Sequence, residues 1–292
     1  MIGPALVPRG PELERLTTVA PFGFRFWDPL EHRSIAAGLY VRHRWQGAPE
    51  RPVTCSSSGV FGIRGLPGFR AFETGTGDDA FWADPPHTPG TGTVFVDDPL
   101  GRFLPIRFQV DEPVRLGAAF REVCRLGRDG SPPDASMPLV PLFSAPGRAR
   151  PPGMALVTAQ LELVDGSPAR GALLEVRANG QPPAIGMADR NGIAVVMFPY
   201  PEPEDVLLSP PPASMRSLST QTWEVGIAAF YVADAVADDH PDLCAVLGQR
   251  SRPAVLLADD SPVVALSTAS LEYGRPLILR TAGRSELVLD PG

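Results

Sequence analysis

The sequence predicts a mainly β protein, with two β modules joined by a proline-rich linker. The 29 glycines and 35 prolines make up about 22% of the 292 residues, against roughly 12% in an average protein. So many helix-breaking residues leave few uninterrupted stretches that are long enough for a helical bundle or a coiled coil. Residues 22–27 and 106–110 instead alternate apolar with small or polar side chains, as half-buried strands do.

The first module is predicted over residues 17–112 and follows an N-terminal extension, residues 1–16. Five short strands are expected in this module: 22–27, 35–45, 60–63, 93–96 and 106–110. In the second of these strands, the spacing by two places Leu39, Val41, His43 and Trp45 on one face. The loops between the strands are rich in glycine, proline and aspartate, which favours a small β domain.

Residues 113–153 are predicted to form the linker. Its prolines include Pro132, Pro133, Pro138, Pro141, Pro146, Pro151 and Pro152. Because proline fixes its own φ, such a segment favours extended, polyproline-like conformations. A proline-rich crossing between two strand-rich regions is typical of a domain boundary.

The second module, residues 154–292, is predicted to be an antiparallel sandwich of the immunoglobulin or transthyretin type. Strands are expected at 155–164, 172–177, 193–198, 223–232, 254–257, 263–266 and 277–280, and a helix at 233–249 with a break at Pro241. The residues Asp189-Arg190-Asn191-Gly192 suit a tight turn, because asparagine and glycine tolerate positive φ. Many short strands with turn signals between them are the pattern of such a sandwich.

One stretch of the second module carries a recognisable order of turn residues. Its members are Asp165-Gly166, Pro168, the run Gly171-Ala172-Leu173-Leu174-Glu175-Val176, then Gly186, Ala188-Asp189 and Gly192. In this order residues 155–199 resemble carboxypeptidase-regulatory-like (transthyretin-like) sandwich domains. The resemblance implies the sandwich fold and no particular function, because this scaffold occurs in many contexts.

A second resemblance rests on three strings around the linker. They are Val96-Asp97-Asp98-Pro99-Leu100-Gly101-Arg102-Phe103-Leu104-Pro105, then Phe143-Ser144-Ala145-Pro146, then Arg150-Pro151-Pro152-Gly153. This order is similar to that of uncharacterised proteins from gene clusters of phage-tail-like contractile injection particles. The resemblance implies a structural role in or near the baseplate, cap or fibre of such a particle, and it brings no catalytic residues.

Charge and hydropathy narrow the classes of partner. The net charge of −7 argues against a general nucleic-acid binder. No stretch approaches the roughly 18 apolar residues that a membrane span needs. All 26 basic residues are arginines, which is typical of a genome with high GC content and is also compatible with bidentate contacts at interfaces.

The cysteines and the first residues of the sequence predict the cellular compartment of the protein. Cys55, Cys124 and Cys244 are far apart and odd in number, so we expect buried or half-buried free thiols. The start of the chain lacks a basic region followed by an apolar one, and no secretory signal is therefore expected. Together these features predict a reducing cytoplasm, where the chain would be assembled before release as part of a particle.

The sequence offers no catalytic, metal or cofactor site. None of His32, His43, His87 and His240 pairs with another at a metal-ligand spacing. The run Ser56–Gly59 lacks the nucleophile-elbow pattern, and the glycine-rich stretch 62–68 lacks the lysine and hydroxyl residue of a phosphate loop. We therefore expect neither enzymatic activity nor a bound cofactor or metal.

The aromatic run 22–27 has two interpretations. If its aromatic face points inward, it belongs to the core; if that face is left open, it is a docking surface, because aromatic residues and arginine are enriched at interface hot spots. The candidate interface residues are Phe24, Arg25, Phe26, Trp27, Trp82, Arg102 and Phe103.

Three functional hypotheses follow. The first is a non-enzymatic structural or adaptor subunit of a large protein assembly, whose partners are other protein subunits in an oligomeric context. The second is a carbohydrate- or surface-binding sandwich module, for which Trp82 is the candidate platform. The third is an enzyme with an accessory sandwich, which would need a zinc or nucleophile site in residues 1–150. Sheath, tube and spike genes beside this one would favour the first.

Overall fold

The structure is a computed structural model that describes residues 20–67, 70–74, 90–111, 139–202, 221–233 and 239–292. It is mainly β, which confirms the predicted fold class. The described strands form three sheets of five, four and ten strands. Trp82, His87, Cys124 and most of the predicted linker lie outside the described residues.

The first nine strands build the two smaller sheets. They are β1 (Phe22–Asp28), β2 (Arg33–Ile35), β3 (Tyr40–Trp45), β4 (Arg51–Pro52), β5 (Thr54–Cys55), β6 (Phe61–Ile63), β7 (Thr91–Asp97), β8 (Ile106–Asp111) and β9 (Leu139–Pro141), with a short helix α1 (Arg70–Glu73) between β6 and β7. The five-stranded sheet has the order β2-β1-β6-β5, and β9 also pairs with β1; the other sheet has the order β4-β3-β7-β8.

The phenylalanines of β1 pack into the core between these two sheets. Phe22, Phe24 and Phe26 alternate with half-buried residues and are themselves buried. The ring of Phe24 makes an edge-on contact with Phe108 of β8, with 5.2 Å between centroids. Phe26 makes a similar contact with Phe61 of β6 at 5.0 Å. For these three phenylalanines the core interpretation of the aromatic run is the observed one.

β3 shows the predicted division of faces, with Val41, His43 and Trp45 buried. His43 is only 4% exposed, and its Nδ1 atom has no hydrogen-bond partner in the described part of the chain. Burial lowers the pKa of His43 below its ordinary value of 6.5, and the nearby charge of Arg51 lowers it further. The imidazole is therefore held neutral inside the first module.

This burial predicts a pH dependence of stability. Above pH 6.5 His43 is neutral in both states, so its contribution to the free energy of unfolding is complete. As the pH falls below that value, the unfolded state takes up the proton first, and stability decreases until the lower folded-state pKa is passed. Urea unfolding at roughly pH 7.5 and 5.5 should show this loss, and His43→Gln should reduce it. His32→Asn, a change on an exposed turn, should keep the wild-type pH dependence; an unchanged profile in His43→Gln would contradict the assignment.

The described end of the predicted linker is built into the first module. β9 pairs in parallel with β1, and the amide of Leu142 donates to the carbonyl oxygen of Trp27 at 2.9 Å. The amide of Leu104 donates to the carbonyl oxygen of Phe143, also at 2.9 Å. The apolar residues between the prolines here form a strand, which the proline pattern alone did not predict. The division into two modules with a boundary in 113–153 stays a prediction.

The second module contains ten strands in one extended, curled sheet. They are β10 (Met154–Leu163), β11 (Leu173–Arg177), β12 (Ala184–Met187), β13 (Ile193–Pro199), β14 (Thr222–Phe230), β15 (Pro253–Asp260), β16 (Val263–Ala265), β17 (Thr268–Glu272), β18 (Leu277–Leu279) and β19 (Leu287–Asp290). The main path is β12-β11-β14-β15-β19-β10-β13. β10 pairs antiparallel with β13 but parallel with β18 and β19, so the sheet is mixed rather than purely antiparallel.

The turn before β13 forms as predicted. One carboxylate oxygen of Asp189 accepts the amides of Asn191 and Ile193 at 2.8 and 2.9 Å. The amide of Gly192 donates to the carbonyl oxygen of Asp189, and Gly192 has φ +77°. A side chain there would also meet the neighbouring strand, because a Cβ would lie 2.3 Å from the carbonyl oxygen of Leu161.

In the described part of the helix predicted at 233–249, which excludes residues 234–238, the α-helix begins only after Pro241. Helix α2 spans Leu243–Gly248, and a 3-10 turn (Gln249–Ser251) follows it. Asp242 caps the helix, since its side chain accepts the amides of Cys244 and Ala245. The buried side chains of α2, Leu243, Val246 and Leu247, pack in the core of the first module together with Leu173 and Met187. The second module thus contributes to the first module's core.

The prediction of free thiols is wrong at Cys244, which is disulfide-bonded. Cys55 is free and exposed, although a buried or half-buried thiol was expected. Wide spacing in the sequence does not prevent a disulfide bond, because the fold brings distant segments together.

Candidate protein-interaction groove

A groove of about 590 Å³ is lined by residues of the predicted first module, the predicted linker and the predicted second module. Its first wall consists of Trp27, the turn that follows β1, and residues 141–144. Its second wall consists of residues 181–185 and side chains of β13. The volume is within the range of sites that bind ligands, and most of the lining is apolar or proline.

The base of the groove is the apolar contact that joins the modules. Leu30, on the turn after β1, packs against Val195 and Met197 of β13. The partly buried side chains of Met154 and Leu156 complete this cluster. β13 is therefore covered on both faces: one faces the sandwich core, and the other faces the first module and the groove.

A buried ion pair fixes the turn that carries Leu30. Arg148 donates to both carboxylate oxygens of Asp28, at 3.1 and 2.5 Å, and also to Glu31 at 3.0 Å. The side chains of Arg148 and Asp28 are 6% and 1% exposed. Asp28 also accepts the amide of Leu30 at 3.0 Å. A bidentate, desolvated pair of this kind holds one wall of the groove in a single geometry.

Phe103 lies between two guanidinium groups beside this ion pair. The guanidinium carbons of Arg148 and Arg102 lie 4.9 and 5.3 Å from the ring centroid. Asp98 in turn accepts hydrogen bonds from Arg102 and from the amide of Phe103. Burial alone would raise the pKa of Asp98, but the hydrogen bonds and the charge of Arg102 outweigh it and hold the pKa below its ordinary value.

The lining of the groove also carries positive charge. Arg250 lines the groove, and its guanidinium donates to Glu175 at 2.9 Å. Glu175 is completely buried and also accepts from Arg177 at 2.6 Å. Two guanidinium groups on one carboxylate leave a net positive charge, and this charge is available to an anionic group in the groove.

The structure divides the predicted interface residues into buried core side chains and side chains nearer the surface. Phe24, Phe26 and Phe103 are core side chains with 0–4% exposure, so they cannot act as docking side chains on the folded chain. Their burial follows from the alternation of β1 and from the two arginines that cover Phe103.

The remaining candidates lie nearer the surface. Arg25 and Trp27 share the other, half-buried face of β1, and Trp27 lines the groove. The Nε atom of Arg25 has no hydrogen-bond partner among the described residues. Arg102 is partly exposed and donates to the carbonyl oxygen of Ala37 as well as to Asp98. Trp82 lies outside the described residues.

Several groove residues gave no signal in the sequence. Leu30, Ile185 and Arg250 stand in turns or short strands, and no motif marks them. Pro182-Pro183 was the one local feature on the second wall, but a proline pair in a loop predicts only an extended chain.

Within the described ranges, no three His, Cys, Asp or Glu side chains are grouped as ligands of a metal ion. None of the helices in the described part of the chain has the length and apolar character that crossing a bilayer requires.

No protein-family model and no curated protein matches this chain. Among solved structures, the Bacillus anthracis TIE protein is similar over 90% of this chain and 33% of its own, with 10% identity and a TM-score of 0.24. The chain therefore spans about a third of that protein's length. A C-terminal fragment of the pilus adhesin SpaC from Lactobacillus rhamnosus GG is similar over 92% of this chain and 95% of its own, with 8% identity and a TM-score of 0.20. Similarity at these TM-scores does not establish a shared fold.

Proposed function

We propose that this protein is a non-enzymatic structural or adaptor subunit of a larger protein assembly. The observation that carries the proposal is the groove, whose mostly apolar lining includes the half-buried Trp27 and also the guanidinium-bearing Arg250. Aromatic residues and arginine in a desolvated pocket are the composition of interface hot spots.

The rigidity of the groove supports the same function. The buried pair of Asp28 and Arg148 fixes the first wall, and the cluster of Leu30, Val195 and Met197 fixes the base. A site that is already ordered before a partner arrives loses less conformational entropy on binding. This supports a permanent docking site for another protein subunit rather than for nucleic acid.

We extend the proposal to a phage-tail-like contractile injection particle, with the chain in or near the baseplate, cap or fibre. The support is that two of the strings that carry this resemblance pack together. Phe103 and Ser144 form an isolated antiparallel bridge, and the amide of Ala145 donates to the carbonyl oxygen of Arg102 at 2.9 Å. Cytoplasmic assembly followed by release is part of this proposal. The disulfide bond of Cys244 is typical of the oxidising surroundings that a released particle meets.

A second candidate function, a carbohydrate- or surface-binding module, has one specific observation in its favour. On the outer face of β3 and β7, Tyr40 is 51% exposed, and Arg42 and Arg44 flank the ring of Phe95 at 5.7 and 5.3 Å. Exposed aromatic rings bordered by polar groups suit amphipathic ligands. Binding to an immobilised glycan panel that Tyr40→Ala abolishes would favour this module.

The proposed function is tested by purifying the chain from its source organism under native conditions. We expect it to elute in a complex far larger than its own 31.1 kDa. Deletion of its gene should remove or alter that complex. A chain that runs as a free monomer, with every large assembly intact in the deletion strain, would contradict the proposal.

A further inference from the structure

We propose that the groove binds an extended segment of a partner protein, which adds as a strand to the edge of β12 that no described strand pairs with. The inference rests on the proposed function and names the chemistry of the partner. The segment presents apolar side chains to the groove and a carboxylate to Arg250. Three independent features of the second wall, its backbone edge, its lining and its charge, carry the inference.

The first feature is the edge of β12. Among the described strands, β12 is hydrogen-bonded to β11 alone and ends the path of its sheet. β13 packs against β12 without pairing with it. Gly186 permits this close approach, because a Cβ there would lie 2.3 Å from the carbonyl oxygen of Val195. Ala184 and Ile185 of β12 line the groove. An edge of this kind is a template for main-chain pairing with an incoming strand.

The second feature is the apolar surface opposite that edge. Of the residues that line this wall, Trp27 is half-buried and Pro29 is exposed, so both are accessible to a partner. In an added strand, alternate side chains point to the same face, so every second residue of the partner would contact this surface. Apolar residues at alternate positions are therefore expected in the partner segment.

The third feature is the charge beside the edge. Glu175 is the ladder partner of Ile185, so its ion pair with Arg250 lies next to the same stretch of β12. Because Glu175 also pairs with Arg177, the cluster keeps a net positive charge. A partner aspartate or glutamate would form a charge-assisted hydrogen bond with Arg250.

Prolines on both walls of the groove limit the positions at which an incoming strand can pair. Pro182 and Pro183 precede β12, and Pro141 lies on the opposite wall. Proline cannot donate a ladder hydrogen bond, so an incoming strand can pair only after Pro183, where Ala184 and Ile185 are half-buried. The same restriction opposes edge-to-edge association between copies of this chain.

The experiment is selection of a random peptide display library against the purified full chain. Enriched peptides are then resynthesised and measured with wild type, Trp27→Ala and Arg250→Ala. Matched controls are Leu100→Ala, an exposed apolar residue that does not line the groove, and Arg275→Ala, an exposed arginine paired with Glu272. Thermal unfolding shows whether each variant is folded, and variants of the peptide test the proposal on the wild-type protein alone.

We expect the enriched peptides to carry apolar residues at alternate positions and an acidic residue at one constant position in the peptide. Trp27→Ala and Arg250→Ala should each weaken binding by about tenfold or more, and the controls should not. Changing the peptide's acidic residue to its amide should remove the difference between wild type and Arg250→Ala. Methylation of peptide amides should block binding at every second position only, because alternate amides face β12.

Failure to enrich any peptide, equal binding to all variants, or tolerance of amide methylation at every position would overturn the inference. The proposed function would then still stand if the chain elutes in its native complex. Specific peptide binding by a chain that is always monomeric in its source organism would support the inference on the groove and contradict the assembly.

Discussion

Arg148→Met is expected to lower the free energy of unfolding by about 3–5 kcal/mol, because it leaves the buried carboxylate of Asp28 without its partner. Asp28 and Arg148 are 1% and 6% exposed at their side chains, so water cannot replace the lost interaction. The change also removes the packing of the guanidinium group on Phe103. Urea unfolding of the variant and wild type at neutral pH measures the loss.

Two further variants test whether the expected loss of stability comes from the burial of the ion pair. Arg275→Met breaks an exposed ion pair with Glu272 and should cost less than about 1 kcal/mol. The double variant Asp28→Asn/Arg148→Met should recover part of the loss, because it removes the unpaired charge as well. A loss for Arg148→Met no larger than that for Arg275→Met would mean that the pair does not hold the groove wall.

Gly192→Ala is expected to lower the free energy of unfolding by about 3 kcal/mol or more, from two separate causes. A residue other than glycine costs about 1–2 kcal/mol at φ +77°. The added Cβ would also lie 2.3 Å from the carbonyl oxygen of Leu161, and a backbone atom in a paired strand cannot move aside without shifting β10.

The two causes are separated by Gly274→Ala. Gly274 has the same φ of +77°, but a Cβ there meets nothing within 4 Å. This variant should therefore show only the conformational cost of about 1–2 kcal/mol. Equal losses in Gly192→Ala and Gly274→Ala, measured by thermal and urea unfolding, would show that the close approach to β10 is unimportant.

Local patterns predicted the parts of the fold in which neighbouring residues decide the structure. Alternation identified β1 and the inward face of β3, including the buried His43, and the Asp189 turn formed as its residue types indicate. β9 was missed because it is only three residues long and follows prolines, and its pairing with β1 comes from residues far away in the chain. The parallel pairing of β10 was missed for the same reason.

The groove depends on contacts that no local pattern contains. Asp28 and Arg148 are 120 positions apart, and Glu175 and Arg250 are 75 apart. The sequence shows that these residues are acidic residues and arginines, but it does not show which carboxylate forms an ion pair with which arginine. Trp27 was identified as an interface candidate from its aromatic neighbours, and the fold then placed it on the groove rather than in the core.

A partner-binding role for the groove is tested most directly by site-specific photocrosslinking in the source organism, with a benzoylphenylalanine introduced at Ile185 on the groove. The control position is Val263, which is 72% exposed and lies on β16, outside the groove. We predict that the crosslinker at Ile185 captures one protein partner reproducibly, that Trp27→Ala abolishes the capture, and that the crosslinker at Val263 captures no such partner. Capture of the same proteins from both positions, or none from Ile185 while the variant is folded and expressed, would contradict a partner-binding role for the groove.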